Sequence, residues 1–281
     1  MKTQVLDKKN NSSEILVKTL STINNLKNDK EKKDQVKVFE DQLITIGKPS
    51  ISLLDEILQD EKNKNHESLA YVLENIVNSK AINLFINALE DVDFGDIAEQ
   101  LLVKIGIKCI PSIIKKIEYR IEHSVKKGRT ELMNWALLTI GRIRCNESIN
   151  FLNNLLDDYM SKIPNESFDV SKYDWKYRNV DFFFILESMV RQQDEKAIPH
   201  LKKAKDFFPK NYVDHIACQI AIVRIKKRRV EGFLPLEIDD ISMPSGLLMN
   251  ILSGGETEYH DTFDEDYGEY MEEIKEDSLT V

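Results

Sequence analysis

Leu102-Val103-Lys104-Ile105-Gly106-Ile107-Lys108-Cys109-Ile110-Pro111 reads as the end of one helix, a corner, and the start of another. Leu102 and Ile105 lie three apart, as on one face of a helix, and run into a glycine, the residue that most readily takes the left-handed conformation that closes a helix. The proline then falls in a first helical turn, where its missing N–H costs nothing. The same phrase recurs on both sides. It is legible as Leu43-Ile44-Thr45-Ile46-Gly47-Lys48-Pro49, Leu73-Glu74-Asn75-Ile76-Val77-Asn78, Leu137-Leu138-Thr139-Ile140-Gly141, and Leu186-Glu187-Ser188-Met189-Val190 continuing to Ala197-Ile198-Pro199. With Ile46, Ile76, Ile105, Ile140, Met189 and Ile222 taken as equivalent, the steps are 30, 29, 35, 49 and 33 residues. That spacing is a repeated helix pair with one insertion.

The stretches between corners carry helical periodicity. Ile15, Leu16, Leu20 and Ile23 are expected on one face, as are Ile113, Ile117 and Ile121, and Ile149, Leu152, Leu155 and Leu156. Only 10 Gly and 7 Pro in 281 residues suit many helices with short joints. The pairs are predicted at 13–47, 49–78, 79–106, 109–144, 146–192 and 195–229. Flanking them are a flexible N-terminus at 1–12, an insertion at about 160–180, a capping segment at 230–255 and an acidic tail at 256–281. Each pair is too small to close a core alone, so stacking must supply its burial, and Ile46, Ile76, Ile105, Ile140 and Ile222 should lie buried at equivalent places.

The corner at Ile105-Gly106 to Ile110-Pro111, the run Ala136-Leu137-Leu138-x-Ile140-Gly141 and Ala197-Ile198-Pro199-x-Leu201 resemble HEAT repeats, in the short variety of the phycobilisome lyases. The resemblance covers about residues 30–225. It implies an all-α, right-handed α-solenoid of about six HEAT-like antiparallel helix pairs, with the second helix of each pair lining the concave face. The resemblance implies little about function; a stack of this armadillo type is expected here to act as a protein-binding scaffold, adaptor or regulatory subunit, not an enzyme. In better-formed members an Asp in the turn within each repeat precedes a basic residue in the second helix. Asn65-His66-Glu67 and Asp96-Ile97-Ala98 lack that basic residue, so an orderly Asp–Arg ladder is not expected.

Enzymatic relatives set the alternatives. HEAT-like deoxyhypusine hydroxylases build a di-iron site from several His-Glu dyads, and only His66-Glu67 occurs here. HEAT-like alkylpurine DNA glycosylases grip DNA with basic and aromatic residues. The counterparts would be Trp135, Trp175, Arg142, Arg144, Lys176 and Arg178, though Trp135 beside Ala136 is better read as packing between repeats. A bilin lyase is the third reading, and no residue here specifies a tetrapyrrole. No catalytic residue, cofactor or metal ligand is therefore expected.

Charge narrows the partner class. The formal charge is −9, and from Glu256 onward eleven acidic residues face Lys275 alone, so the body is close to neutral and poor at attracting phosphate. Nucleic acid is thus the less favoured partner and a protein the more favoured. The expected contacts are Tyr173, Trp175, Lys176, Tyr177 and Arg178 of the insertion with Arg142 and Arg144, residue types that dominate binding hot spots. Arg224, Lys226, Lys227, Arg228 and Arg229 form a second candidate, a docking run for a polyanion or for the acidic tail. Leu247, Leu248, Ile251 and Leu252 are expected to cap the last pair. The start has no apolar leader, no stretch is apolar enough to span a bilayer, and Cys109, Cys145 and Cys218 read as small core residues, so a cytoplasmic protein is expected.

Overall fold

The computed structural model describes residues 2–91, 93–123, 131–163, 182–210 and 213–228, without the side chains of 2–13, 131–133 and 213. Among the described residues there is helix and no strand. The helices are α1 (Lys2–Asn25), α2 (Asp29–Ile46), α3 (Ser50–Gln59), α4 (His66–Asn75), α5 (Ser79–Ala88), α6 (Gly95–Ile105), α7 (Ile110–Glu122), α8 (Glu131–Arg142), α9 (Asn146–Ser161), α10 (Phe182–Gln192), α11 (Ile198–Phe207) and α12 (Val213–Lys226). Helix α1 begins at Lys2, ahead of the boundary expected at 13. Segments 230–255 and 256–281, and most of the insertion at 160–180, lie outside the described residues.

Each odd-numbered helix packs on the even-numbered one that follows it, and the even-numbered helices α2, α4, α6, α8, α10 and α12 each touch the next, making one unbroken file. Contacts among the odd-numbered helices are sparser and include α1–α3, α5–α7, α7–α9 and α9–α11. The core runs between the two files. Leu43, Leu73, Leu102, Leu137 and Leu186, the phrase leucines, are all buried. Ile76, Ile105, Ile140, Met189 and Ile222 are buried too, whereas Ile46 is only half-buried and packs against the core edge. Ile15 departs from its expected face: it is exposed while Leu16, Leu20 and Ile23 are buried.

The corners are built in different ways. Gly47 and Gly106 take almost the same conformation, φ 71° and 76° with ψ −148° in both, and their N–H groups donate to Leu43 and Leu102. That region of backbone space is essentially closed to side-chain-bearing residues. The corner after α4 needs no glycine because Ile76 leaves the helix in an extended conformation and Asn78 caps α5 through the N–H of Lys80. Gly141 is different again. It lies inside α8 with ordinary φ, and a Cβ there would sit 2.7 Å from Cα of Ser188, so its role is close approach of α8 to α10. Pro111 and Pro199 lie in first turns as expected, and Pro49 occupies the N-cap of α3.

Candidate interaction face

The even-numbered file carries a chain of ion pairs that runs from α6 to α12. Glu99 on α6 is buried and faces two arginines: Oε2 lies 3.2 Å from Arg142 Nη1 on α8, and Oε1 lies 3.5 Å from Arg191 Nη1 on α10. Arg191 Nε also reaches Glu187 Oε1 on its own helix at 3.2 Å. Glu187 then accepts from Arg224 of α12, Nη1 to Oε2 at 2.6 Å. Burial raises the Glu99 carboxyl above the usual range, against the opposing pull of Arg142 and Arg191. Along this chain guanidinium and carboxylate alternate, Arg142–Glu99–Arg191–Glu187–Arg224, so each carboxylate lies between two cations.

This is a Glu–Arg chain at other positions, not the Asp–Arg ladder of the better-formed members. The arginines stand two residues after the phrase residue each time: Arg142 after Ile140, Arg191 after Met189, Arg224 after Ile222. Glu99 stands six residues before Ile105, as Glu40 stands six before Ile46. That regularity was available in the sequence. Glu40, also buried, takes the backbone N–H groups of Val77 and Asn78 at 2.5 and 2.7 Å, tying α2 to the corner after α4. Gln192 was not anticipated at all. Its buried Nε2 donates to the carbonyls of Ile140, Gly141 and Ile143, satisfying the C-terminal end of α8 from α10.

The predicted site residues separate. Arg142 is committed to Glu99 with its side chain 41% exposed, and Arg144 is exposed and donates through Nε to the carbonyl of Arg191. Arg224 is buried, paired with Glu187, so it does not belong to an exposed docking run; Lys226, Lys227 and Arg228 are exposed. Tyr173, Trp175, Lys176, Tyr177, Arg178 and Arg229 lie outside the described residues. Trp135 packs its indole over Gly95, between α8 and α6. His66 opens α4 with Nδ1 near the carbonyl of Ile57, and Glu67 is exposed.

The face is built from paired charges and half-exposed polar groups. Burial pushes the Cys109 thiol up to about 12 and the Cys218 thiol up as well, away from nucleophilic use. Cys145 serves as the N-cap of α9, its Sγ accepting from the N–H of Ser148. Among the described residues no group of three or more His, Cys, Asp or Glu side chains is placed to hold a metal ion, and no helix is long and apolar enough to cross a membrane. No family model matches the chain, and no curated protein matches it.

Proposed function

We propose that this chain is a HEAT-like, right-handed α-solenoid of six helix pairs that works as a non-enzymatic scaffold or adaptor, binding a protein along the file of even-numbered helices. The observation that carries the reading is the unbroken contact of α2, α4, α6, α8, α10 and α12. A file of parallel second helices is an extended surface of the kind such stacks use for partners. Its charges are already compensated in the α6–α12 half, so a partner would be read by shape and by hydrogen bonds to half-exposed Arg142 and Arg191 more than by net charge.

The test is capture from the native cell on immobilised full-length protein. One protein should be retained at a fixed ratio, lost with Arg142→Ala plus Arg191→Ala, and kept with Glu118→Ala plus Tyr119→Ala on the exposed side of α7. Loss with the α7 variant alone would put the partner on the other file and defeat the reading. Tight binding to duplex DNA with a steep salt dependence would instead favour a nucleic-acid module.

A further inference from the structure

Helix α12 carries two apolar faces, separated on one side by the polar stripe of His215, Gln219 and Lys226. Cys218, Ile222 and Ile225 join the contiguous core, whereas Ile216 and Ile220 are buried to 2% and 4% exposure yet stand apart from it. With Val223 they recur at i, i+4 and i+7, a second apolar face turned well away from the first. A helix with two apolar faces has to be covered on both. The described neighbours of α12 are α10 and α11, and between α10 and α12 runs a groove of about 190 Å³ walled by Phe183, Phe184, Val190, Ala217, Ile220 and Ala221. The small residues Ala217 and Ala221 lie one helical turn apart and keep the floor low. Among the described residues its charged lining is Glu187 and Arg224, which pair with each other.

We propose that this groove and the adjoining Ile216–Ile220–Val223 face are the docking site of the chain's own segment Pro244–Leu252, bound in cis. The segment offers Leu247, Leu248, Ile251 and Leu252, and the 15 residues from Ile241 to Gly255 include no charged side chain. That matches an apolar groove with internally cancelled charge. The 164–181 stretch, the other apolar-rich length of chain nearby in sequence, carries seven charged residues in 18 and is the poorer match for apolar walls. Reach is not limiting: residues 229–243 span up to about 50 Å extended, against about 21 Å for the whole of α12. Tethering at that length holds the segment near millimolar local concentration. The inference is independent of the scaffold reading, because it concerns how the last pair is closed and holds whatever the other helices bind.

Two measurements on the full chain test it. With Cys145→Ser to lower background labelling, a Phe183→Cys, Leu248→Cys protein treated with a short bis-maleimide should yield a cross-link within monomers, located by peptide mass spectrometry. Hydrogen exchange of the α12 amides should accelerate at least about tenfold in Leu248→Asp plus Ile251→Asp and in a chain ending at Met243, and should not change in a chain ending at Gly255. Cross-links found only between copies would assign the groove to a second molecule and overturn the proposal. Unchanged α12 exchange in both the point variants and the shorter chain would overturn it equally.

Discussion

Three glycines that look alike in sequence do different things. At Gly47 nothing lies within 4 Å of where a Cβ would be, so Gly47→Ala meets backbone strain alone, and the same holds at Gly106. Either substitution should cost about 1–3 kcal/mol in urea unfolding. Asn should give no rescue, since it tolerates left-handed helical ψ near +47° and not the ψ of −148° found here. Gly141→Ala should cost a similar amount, about 1–3 kcal/mol, for the opposite reason: φ is permissible and the methyl would strike the Ser188 backbone. The sequence places a glycine in three of the five corner phrases but does not distinguish a backbone that must turn from a neighbour that must come close. The same limit explains Ile46, which holds the phrase position but only the rim of the core, with Leu43 taking the interior.

At the level of the helix pair, ion pairs decide how neighbours are held, and their pH behaviour has two signs. Burial lifts the Glu99 carboxyl, so between the unfolded value of about 4.3 and the raised folded value the native state holds the extra proton. Stability from this group therefore falls as pH rises through that window, and the advantage of wild type over Glu99→Gln should shrink as pH increases. Glu90 behaves oppositely. Burial pushes its carboxyl up, but hydrogen bonds from Arg120 and Lys116 outweigh that and hold it low, so its contribution is present above about 4.3 and is lost as pH falls through the folded value. Urea unfolding of Glu99→Gln and Glu90→Gln from pH 3 to 7 should show difference curves of opposite slope. The Glu187–Arg224 pair should be asymmetric: Glu187→Ala takes the carboxylate away from a buried guanidinium and should cost the more in urea unfolding, whereas Arg224→Met leaves Glu187 with Arg191 and a quarter of its side chain in solvent and should cost clearly less. Little of this ladder was legible from an Asp in the turn, because the carboxylates sit on helix faces. The regular offset of Arg142, Arg191 and Arg224, two residues after the phrase residue, was the signal that could have found it.

Across the whole molecule, periodicity located the helices well because every corner is short and each helix has one apolar side: the expected ends at 47, 78, 106, 144 and 192 lie within three residues of those found. The side on which a partner would sit was much less legible, since exposed residues have no periodic constraint. Every helix leans on near neighbours in sequence, so damage should spread outward from its origin and not be averaged over the chain. Ile140→Asp places an unpaired carboxylate at a fully buried site between α6 and α10, and should unfold the central pairs while leaving residual helix at the ends. Circular dichroism melting should lose its single transition; an unchanged melt would mean that Ile140 does not bear on the core. The bare Gly141 has a further consequence, one of lever arms. Helices spaced about 10 Å apart that are wedged open by about 1 Å on one side tilt by about 6°. Everything from α9 to α12 rides on that joint, so one added methyl would swing the far end of the protein through an arc several times larger than the wedge itself, altering which two distant points on its surface a single rigid ligand can touch at once.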